Sequence, residues 1–282
     1  MKCLVTGGLG LIGSHIVKRL LQDGHHVRIL DIRPLTEWPL GDLPTENLEV
    51  QQGDIADLYD CHVAMKGIEA VFHTAAIART VETIDDPLRA HEVNATGTLN
   101  LLQVAKKRGV KRFVHSSSSI LYVPKTPYFV GKQCAESYVT IFADLYNLST
   151  VSLRYANVFG PGQRRDGAYP NVLAAFARGR AEEGFIVVDG DGKQNRSFIH
   201  VDDVVEANML AFESTACGVF DIGTDVYTSI NECAAMFDCE IRKAPSRPGD
   251  VFTIKINTMP AREALKFVAK IPFDKKAITS YL

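Results

Sequence analysis

Leu4-Val5-Thr6-Gly7-Gly8-Leu9-Gly10-Leu11-Ile12-Gly13-Ser14-His15 is the stretch on which the fold turns. The apolar residues before Thr6 predict a short buried strand. The run from Ile12 to Gln22 has the three- and four-residue apolar spacing of a helix. Between them, Gly8, Gly10 and Gly13 satisfy G-x-G-x-x-G, while Gly7, Gly10 and Gly13 satisfy G-x-x-G-x-x-G. The glycines serve three physical ends, namely a tight turn, close approach of backbone to a phosphate, and close packing of helix on strand. The helix start also offers free N–H groups and a positive dipole end to an anion. Alone, the motif fits equally a strand-to-helix turn with no ligand. Its place directly after a first strand, with Asp31 closing the next strand 18 residues past Gly13, predicts a dinucleotide site. A carboxylate there accepts from both ribose hydroxyls and repels a 2′-phosphate, favouring NAD over NADP. Arg33 is the competing signal, because a basic side chain accommodates that phosphate.

Outward from this motif, short apolar runs recur at Val27–Leu30, Leu48–Gln51, Ala70–His73, Arg112–His115 and Thr150–Leu153. Helical patterns lie between them, notably Leu88–Arg108 and Lys132–Tyr146. Alternating strands and helices predict an α/β fold of Rossmann type, a doubly wound parallel sheet buried on both faces. Beyond Arg154 the rhythm loosens and turn signals gather in Phe159-Gly160-Pro161-Gly162, Asp189-Gly190-Asp191-Gly192 and Arg247-Pro248-Gly249-Asp250. The expected division is residues 1–156 as the nucleotide-binding domain and 157–282 as a smaller, mainly substrate-binding lobe. Within that lobe, segments of about 196–224 should return to the main sheet, Val219–Ile222 as a strand.

The 282 residues are 46% hydrophobic and 23% charged, with a net charge of −2, an ordinary globular profile. Nothing resembles the basic clustering of a nucleic-acid or membrane-surface protein. Lys106-Lys107-Arg108 and Gln163-Arg164-Arg165 are short, and each reads as a solvated helix end or loop. No apolar stretch reaches the roughly 18 residues of a membrane span, and Met1-Lys2 runs straight into a core strand rather than a signal peptide. Cys3, Cys61, Cys134, Cys217, Cys233 and Cys239 contain no C-x-x-C pair and no metal-like spacing with His. They are expected to be reduced, in a cytoplasmic protein without a metal.

Tyr128-Phe129-Val130-Gly131-Lys132 is a Y-x-x-x-K motif opening a helix, and a spacing of four puts both side chains on one helical face. An ammonium beside a phenol favours the phenolate, lowering a pKa of about 10. The result is a general acid/base for neutral pH. Upstream, Val114-His115-Ser116-Ser117-Ser118-Ser119 puts hydroxyls at the C-terminal end of a parallel strand, where such sheets bind ligands. Each signal alone is common, for serine runs are usually loops. Their order is not common.

Taken together these motifs resemble the extended short-chain dehydrogenase/reductases, and within them the nucleotide-sugar epimerase/dehydratase group related to UDP-glucose 4-epimerase. The resemblance covers essentially the whole chain. Thr6–His15 matches the cofactor loop, Gly53-Asp54-Ile55 the adenine-side turn, His73-Thr74-Ala75-Ala76 the fourth-strand motif and Asn94–Leu101 the central helix. It implies Gly7, Gly10, Leu11, Ile12, Gly13, Asp31, Ile32, Arg33, Asp54, Ile55, Thr74, Ala75, Ala76, Asn94, Ser116, Tyr128, Lys132, Tyr155 and Val158 as the NAD site. Counting back from Tyr122 in S-S-x-x-x-Y, it implies Ser118 as the catalytic hydroxyl beside Tyr128 and Lys132. Arg154–Pro161 is similar to a segment whose Asn, here Asn157, meets the sugar nucleotide, and Ala168–Val172 to the stretch leading to a phosphate-side Asn, here Asn171. Arg196–Val204 and Arg247–Asp250 are similar to the segments whose arginines, Arg196 and Arg247, grip a diphosphate, with Asp250 beside them. Guanidinium forks suit phosphate oxygens, although each Arg alone reads as a surface residue. A homodimer through the helices Leu88–Arg108 and Lys132–Tyr146 is also implied.

Within the group, dehydratases carry Asp-Glu after the catalytic hydroxyl residue and decarboxylases a Glu; here Ser119-Ile120 follow Ser118. No carboxylate stands ready to assist elimination, which favours 4-epimerisation of a nucleotide-diphosphate sugar. Only Val123–Pro127 separates Tyr122 from Tyr128, shorter than the family pattern, and Val123 and Gly131 replace the usual Gly and Ser. The alternatives are a reductase or dehydrogenase of a sterol-like or small carbonyl substrate, which would turn over NAD(P)(H), another member that modifies nucleotide-diphosphate sugars, and a non-catalytic NAD-binding scaffold. Loss of Tyr128 or Lys132 would have favoured the scaffold, and both are present.

Overall fold

A computed structural model describes residues 1–39, 46–123, 126–164, 171–246 and 252–279. Two-stroke alternation dominates the first half: β1 (Lys2–Thr6), α1 (Leu11–Gln22), β2 (His26–Asp31), β3 (Leu48–Gln52), α2 (Leu58–Ala64) and β4 (Ala70–His73). There follow α3 (Thr80–Asp85), α4 (Pro87–His91), a π-helical turn (Glu92–Gly97), α5 (Thr98–Arg108), β5 (Arg112–Ser118), α6 (Pro127–Tyr146) and β6 (Thr150–Tyr155). The later elements are shorter: β7 (Asn157–Phe159), α7 (Val172–Glu183), β8 (Phe185–Asp189), β9 (Asn195–Arg196), β10 (Phe198–His200), α8 (Val201–Glu213) and β11 (Gly218–Ile222). The last are β12 (Thr228–Ser229), α9 (Ile230–Ala235), β13 (Glu240–Ala244), α10 (Met259–Leu265) and α11 (Lys275–Thr279).

Seven parallel strands form the main sheet in the order β3-β2-β1-β4-β5-β6-β11. It is the Rossmann-type doubly wound sheet that the motif predicts. The order reverses between β1 and β4, and the crevice outside their C-terminal ends is where this architecture binds ligands. The central strands are buried along their length, as a sheet covered by helices on both faces must be. One apolar cluster (Val5, Ile16, Phe72, Ile199, Phe220) packs α1 and α8 on one face; another (Leu4, Leu30, Leu101, Phe113, Phe142) packs α2, α5 and α6 on the other. A third, around Phe159, Phe176, Phe198 and Phe237, holds α7, α9 and three two-stranded pairs over the C-terminal edge.

The expected single helix Leu88–Arg108 is instead α4, a π turn and α5. The cause is local. Asn94 is 2% exposed and bonded at both ends of its amide to Ile77, accepting from its N–H at 2.8 Å and donating to its carbonyl at 2.9 Å. One extra residue per turn swings Asn94 inward to make those bonds. Helix α6 opens one residue before Tyr128, in keeping with a Y-x-x-x-K motif at a helix start and ahead of the apolar pattern Lys132–Tyr146. Thr126 caps it, accepting from the Phe129 N–H at 3.3 Å, and Pro127 occupies the first turn. The run Lys106–Arg108 does end α5, closed by Gly109 at φ 68°.

Candidate active site

The glycine loop leaves β1 at the centre of the C-terminal edge. Gly7 sits at φ 68°, and a Cβ there would come within 2.8 Å of the Ala75 backbone. At Gly13 a Cβ would overlap the Gly7 carbonyl oxygen and lie 2.9 Å from Gly8 Cα. Side chains are thus excluded where strand and helix close on each other, and backbone is left to face an anion at the start of α1. Asp31, 6% exposed at the end of β2, accepts from the Leu9 N–H at 2.9 Å and the Arg33 N–H at 3.0 Å. Arg33 Nε also donates at 3.4 Å to the oxygen that the Arg33 N–H reaches, so of about four lone-pair sites the one still open for a ribose hydroxyl is on the oxygen bonded to the Leu9 N–H. A cleft of about 430 Å³ runs over Asp31, Ile32, Arg33, Asp54, Ile55, Thr74, Ala75 and Ala76. Arg79, Arg89 and Arg164 also border it. Arg89 pairs with Asp54, and Arg164 reaches Glu37 at 3.0 Å, so two ion pairs flank the adenosine end.

This cleft continues into a larger one of about 800 Å³ lined by Gly7, Gly10, Leu11, Ile12, Gly13, Ser118, Tyr128, Tyr155, Asn157, Val158, Asn171 and Arg196. Residues spread over nearly 190 positions of sequence therefore meet around one space. Asn157 donates to the Ser197 carbonyl at 3.2 Å, and Asn171 caps α7 through the Ala174 N–H at 2.9 Å. Arg196 donates to the Asn195 carbonyl at 2.9 Å. Arg247 and Asp250 lie outside the described residues.

Three expected residues sit behind the wall rather than in it. Asn94 is bonded to Ile77, as above. Ser116 Oγ is 3.0 Å from the Tyr155 hydroxyl. Lys132, 4% exposed, donates to the Ser116 carbonyl at 2.8 Å. Burial lowers its pKa to about 8, with the Glu136 carboxylate acting against that fall. Tyr128 is 9% exposed and burial raises its pKa, while the hydrogen-bonded Ser118 hydroxyl lowers it. Ser118 Oγ also accepts from the Ile120 N–H at 3.2 Å, which fixes its place at the strand end. Gly131 has a packing reason: a Cβ there would stand 2.8 Å from Asn94 Cβ.

A Gly-rich turn without side chains, a ribose-side carboxylate and a Tyr–Ser pair at the far end fit NAD. The comparisons agree: residues 3–223 match the model of the NAD dependent epimerase/dehydratase family. The chain belongs to that family. NAD is accordingly its cofactor. UDP-glucose 4-epimerase of Mycolicibacterium smegmatis is 33% identical over 293 residues, covering 94% of this chain and 92% of that protein. UDP-N-acetyl-alpha-D-glucosaminuronate decarboxylase of Bacillus cytotoxicus is 32% identical over 83% of this chain and 78% of its own. The crystal structure of UDP-glucose 4-epimerase with UDP-glucose from Thermotoga maritima superposes with a TM-score of 0.92 at 31% identity, covering 99% and 97% of the two chains.

Sequence reasoning passed over Glu136 and Arg154, which lie behind Ser118 and Tyr128, and over the hydroxyl of Ser117, which turns toward Glu136. Glu136 is four residues past Lys132, a spacing that was available as a signal. On a helix a Glu usually reads as a solvated charge, and nothing local marks this one as buried. No group of three or more metal-ligating side chains occurs among the described residues. No helix there is long and apolar enough to cross a membrane.

Proposed function

We propose that the protein inverts C4 of a nucleotide-diphosphate sugar through a transient 4-keto sugar. The observation that carries this reading is the convergence of Ser118 and Tyr128 with Asn157, Asn171 and Arg196 on the cleft that begins at the glycine loop. NAD supplies the hydride acceptor and donor when bound. The loop glycines face its phosphates, Asp31 its ribose, and Asp54 and Ile55 its adenine. Tyr128, as phenolate, takes the proton from the 4-hydroxyl as hydride leaves C4, and later returns it to the 4-keto oxygen as hydride comes back to the opposite face of C4; Ser118 holds the same oxygen. Lys132, buried behind Tyr128 on the Ser116 carbonyl, stands there as the cation that favours the phenolate. Arg196, with Arg247, grips the diphosphate while the sugar turns between the two proton transfers. Ser119-Ile120 supply no carboxylate for elimination or for a decarboxylase-like step.

Incubation with a panel of UDP-, dTDP- and GDP-sugars should change the sugar proton spectrum at H4 with no net NADH. Net NADH turnover on a carbonyl panel would replace this reading with a reductase, and silence on both with a scaffold. Arg196→Ala should weaken UDP binding about tenfold or more, as loss of a charge-assisted bond of about 1.5–3 kcal/mol implies, and leave NADH affinity unchanged.

We further propose a homodimer, supported by the apolar side chains exposed on α3, α4 and α6. Ile84, Leu88, Val130, Ile141 and Leu145 are each more than 40% exposed, Leu88 reaching 78%. Such a surface is unusual for a monomer. Sedimentation at micromolar concentration should give twice the 31.0 kDa of the chain; a monomer would refute it. A cytoplasmic location suits the six free cysteines, and recovery in a membrane or secreted fraction would contradict it.

A further inference from the structure

Ser117 stands between the two residues of β5 that hold the catalytic pair. Its neighbour Ser116 offers the carbonyl that Lys132 binds at 2.8 Å, and its neighbour Ser118 touches Tyr128. The Ser117 hydroxyl itself points into α6, donating to Glu136 Oε2 at 2.6 Å. Glu136 is 4% exposed and is gripped by Arg154 of β6 in a two-pronged pair, Nε to Oε2 at 2.9 Å and Nη2 to Oε1 at 2.5 Å. Arg154 then donates to the Tyr122 hydroxyl at 3.2 Å, and Tyr122 donates to Asp221 of β11 at 2.8 Å. Asp221 also accepts from the Asn257 N–H at 2.7 Å, in the segment entering α10. One chain of hydrogen bonds thus ties α6, β5, β6, β11 and the C-terminal segment together.

We propose that Glu136 is a positioning residue for the reaction, holding the Ser116–Ser118 strand end against Tyr128 and Lys132 through Ser117 and Arg154. The idea rests on the epimerisation reading above for its kinetic consequences, and on geometry alone for its structural ones. Buried carboxylates are retained where several donors converge on them, since desolvation is otherwise too costly. Three donor bonds reach this one. The pair also explains why a cation survives in the apolar wall. The charged and titratable groups set against Lys132 are Tyr128 and Glu136 on its own helix, His73 on β4 and His115 on β5. Arg154 of β6 reaches it through Glu136. Burial keeps both histidines neutral, so Glu136 is the anion that opposes deprotonation of the lysine.

The test compares Glu136→Gln with Arg154→Met. Glu136→Gln keeps the shape and leaves Arg154 without its anion, so Lys132 should lose its proton about one pH unit lower. Arg154→Met releases the carboxylate to act on Lys132 alone, and the same titration should move up. The readout is the ¹³Cε resonance of Lys132, assigned by its loss in Lys132→Met, which needs no turnover. In the active parent, kcat of Glu136→Gln should fall about tenfold or more, as displaced catalytic groups do, with KM and NADH affinity nearly unchanged. The falling limb of its pH profile should move down with the resonance. Equal titrations in parent and both variants, or a uniform loss of activity at all pH values, would reduce Glu136 to a structural residue and overturn the proposal. Should Glu136→Gln fail to fold, Ser117→Ala removes one bond and no charge. It should lower kcat at unchanged thermal stability, and parent-like kcat would overturn the proposal. A parent inactive on every sugar would sink the epimerisation reading and leave the opposed titrations to decide this one.

Discussion

Tyr128→Phe should yield a folded, NAD-binding protein whose epimerisation is slower by about 10²–10⁴-fold, the usual contribution of a positioned general acid/base. The substitution removes one oxygen from a side chain already 9% exposed and otherwise held by packing at the start of α6. Its one resolved polar partner is Ser118, so the stability change should stay near the roughly 0.5–1.5 kcal/mol of a single hydrogen bond. The pH dependence follows from the same burial. A phenol pushed above its ordinary pKa is the protonated form at neutral pH, and the rate should rise with pH as the phenolate appears. Lys132→Ala withdraws the nearby cation and should carry that rising limb further up. Near-parental turnover by Tyr128→Phe, on a sugar that the parent epimerises, would remove Tyr128 from the chemistry. Attention would then pass to the short connection after Tyr122.

Gly13→Ala is expected to purify without its cofactor. The new Cβ would overlap the Gly7 carbonyl and crowd Gly8 at 2.9 Å. Loop and helix cannot both keep their places. Overpacking of this kind costs about 1–3 kcal/mol, and backbone on both sides leaves no flexible side chain to yield. If most of that cost falls on the phosphate-facing conformation, NADH affinity drops by roughly a hundredfold, or about 2.7 kcal/mol. Gly10→Ala is the control, because its nearest neighbour would be the Gly7 oxygen at 3.1 Å. It should keep parental stability, and any loss of affinity there reports crowding of the ligand itself. Cofactor released on denaturation, measured per mole of chain, reads both variants. Full occupancy in Gly13→Ala would show that the loop is not the phosphate site.

The parts of the fold that are legible in the sequence are those set by local chemistry. Strand runs such as Ala70–His73 appear where their apolar residues place them, and the glycines mark the turn that sterics require. Tyr128 and Lys132 are legible as a pair because a helix spacing is a short-range pattern, and the serine run because it closes a strand; the choice of Ser118 within that run comes from the family resemblance. The start of α6 is written in Thr126-Pro127, a cap signal directly ahead of Tyr128. The residues behind the wall are a different matter. Nothing near Glu136 says that an Arg from β6 will meet it, since that pairing exists only once α6 packs against β6. Likewise Asn94 looks like any polar helix residue until Ile77 is brought against it.

The π turn at Glu92–Gly97 also changes what the α4–α5 stretch can display. In an uninterrupted helix, residues seven apart share a side, so Leu88 and Ala95 would look the same way. Here Leu88 is 78% exposed and Ala95 only 2%. The extra residue acts as a phase shift: one stretch of chain shows an apolar stripe outward before it and an apolar seam inward after it. The outer surface and the lining of the catalytic wall are therefore indexed to each other by a single residue. Removing one residue between Glu92 and Gly97 would restore a regular helix and set the two halves out of step, so that either Leu88 turns into the protein or Asn94 turns away from Ile77.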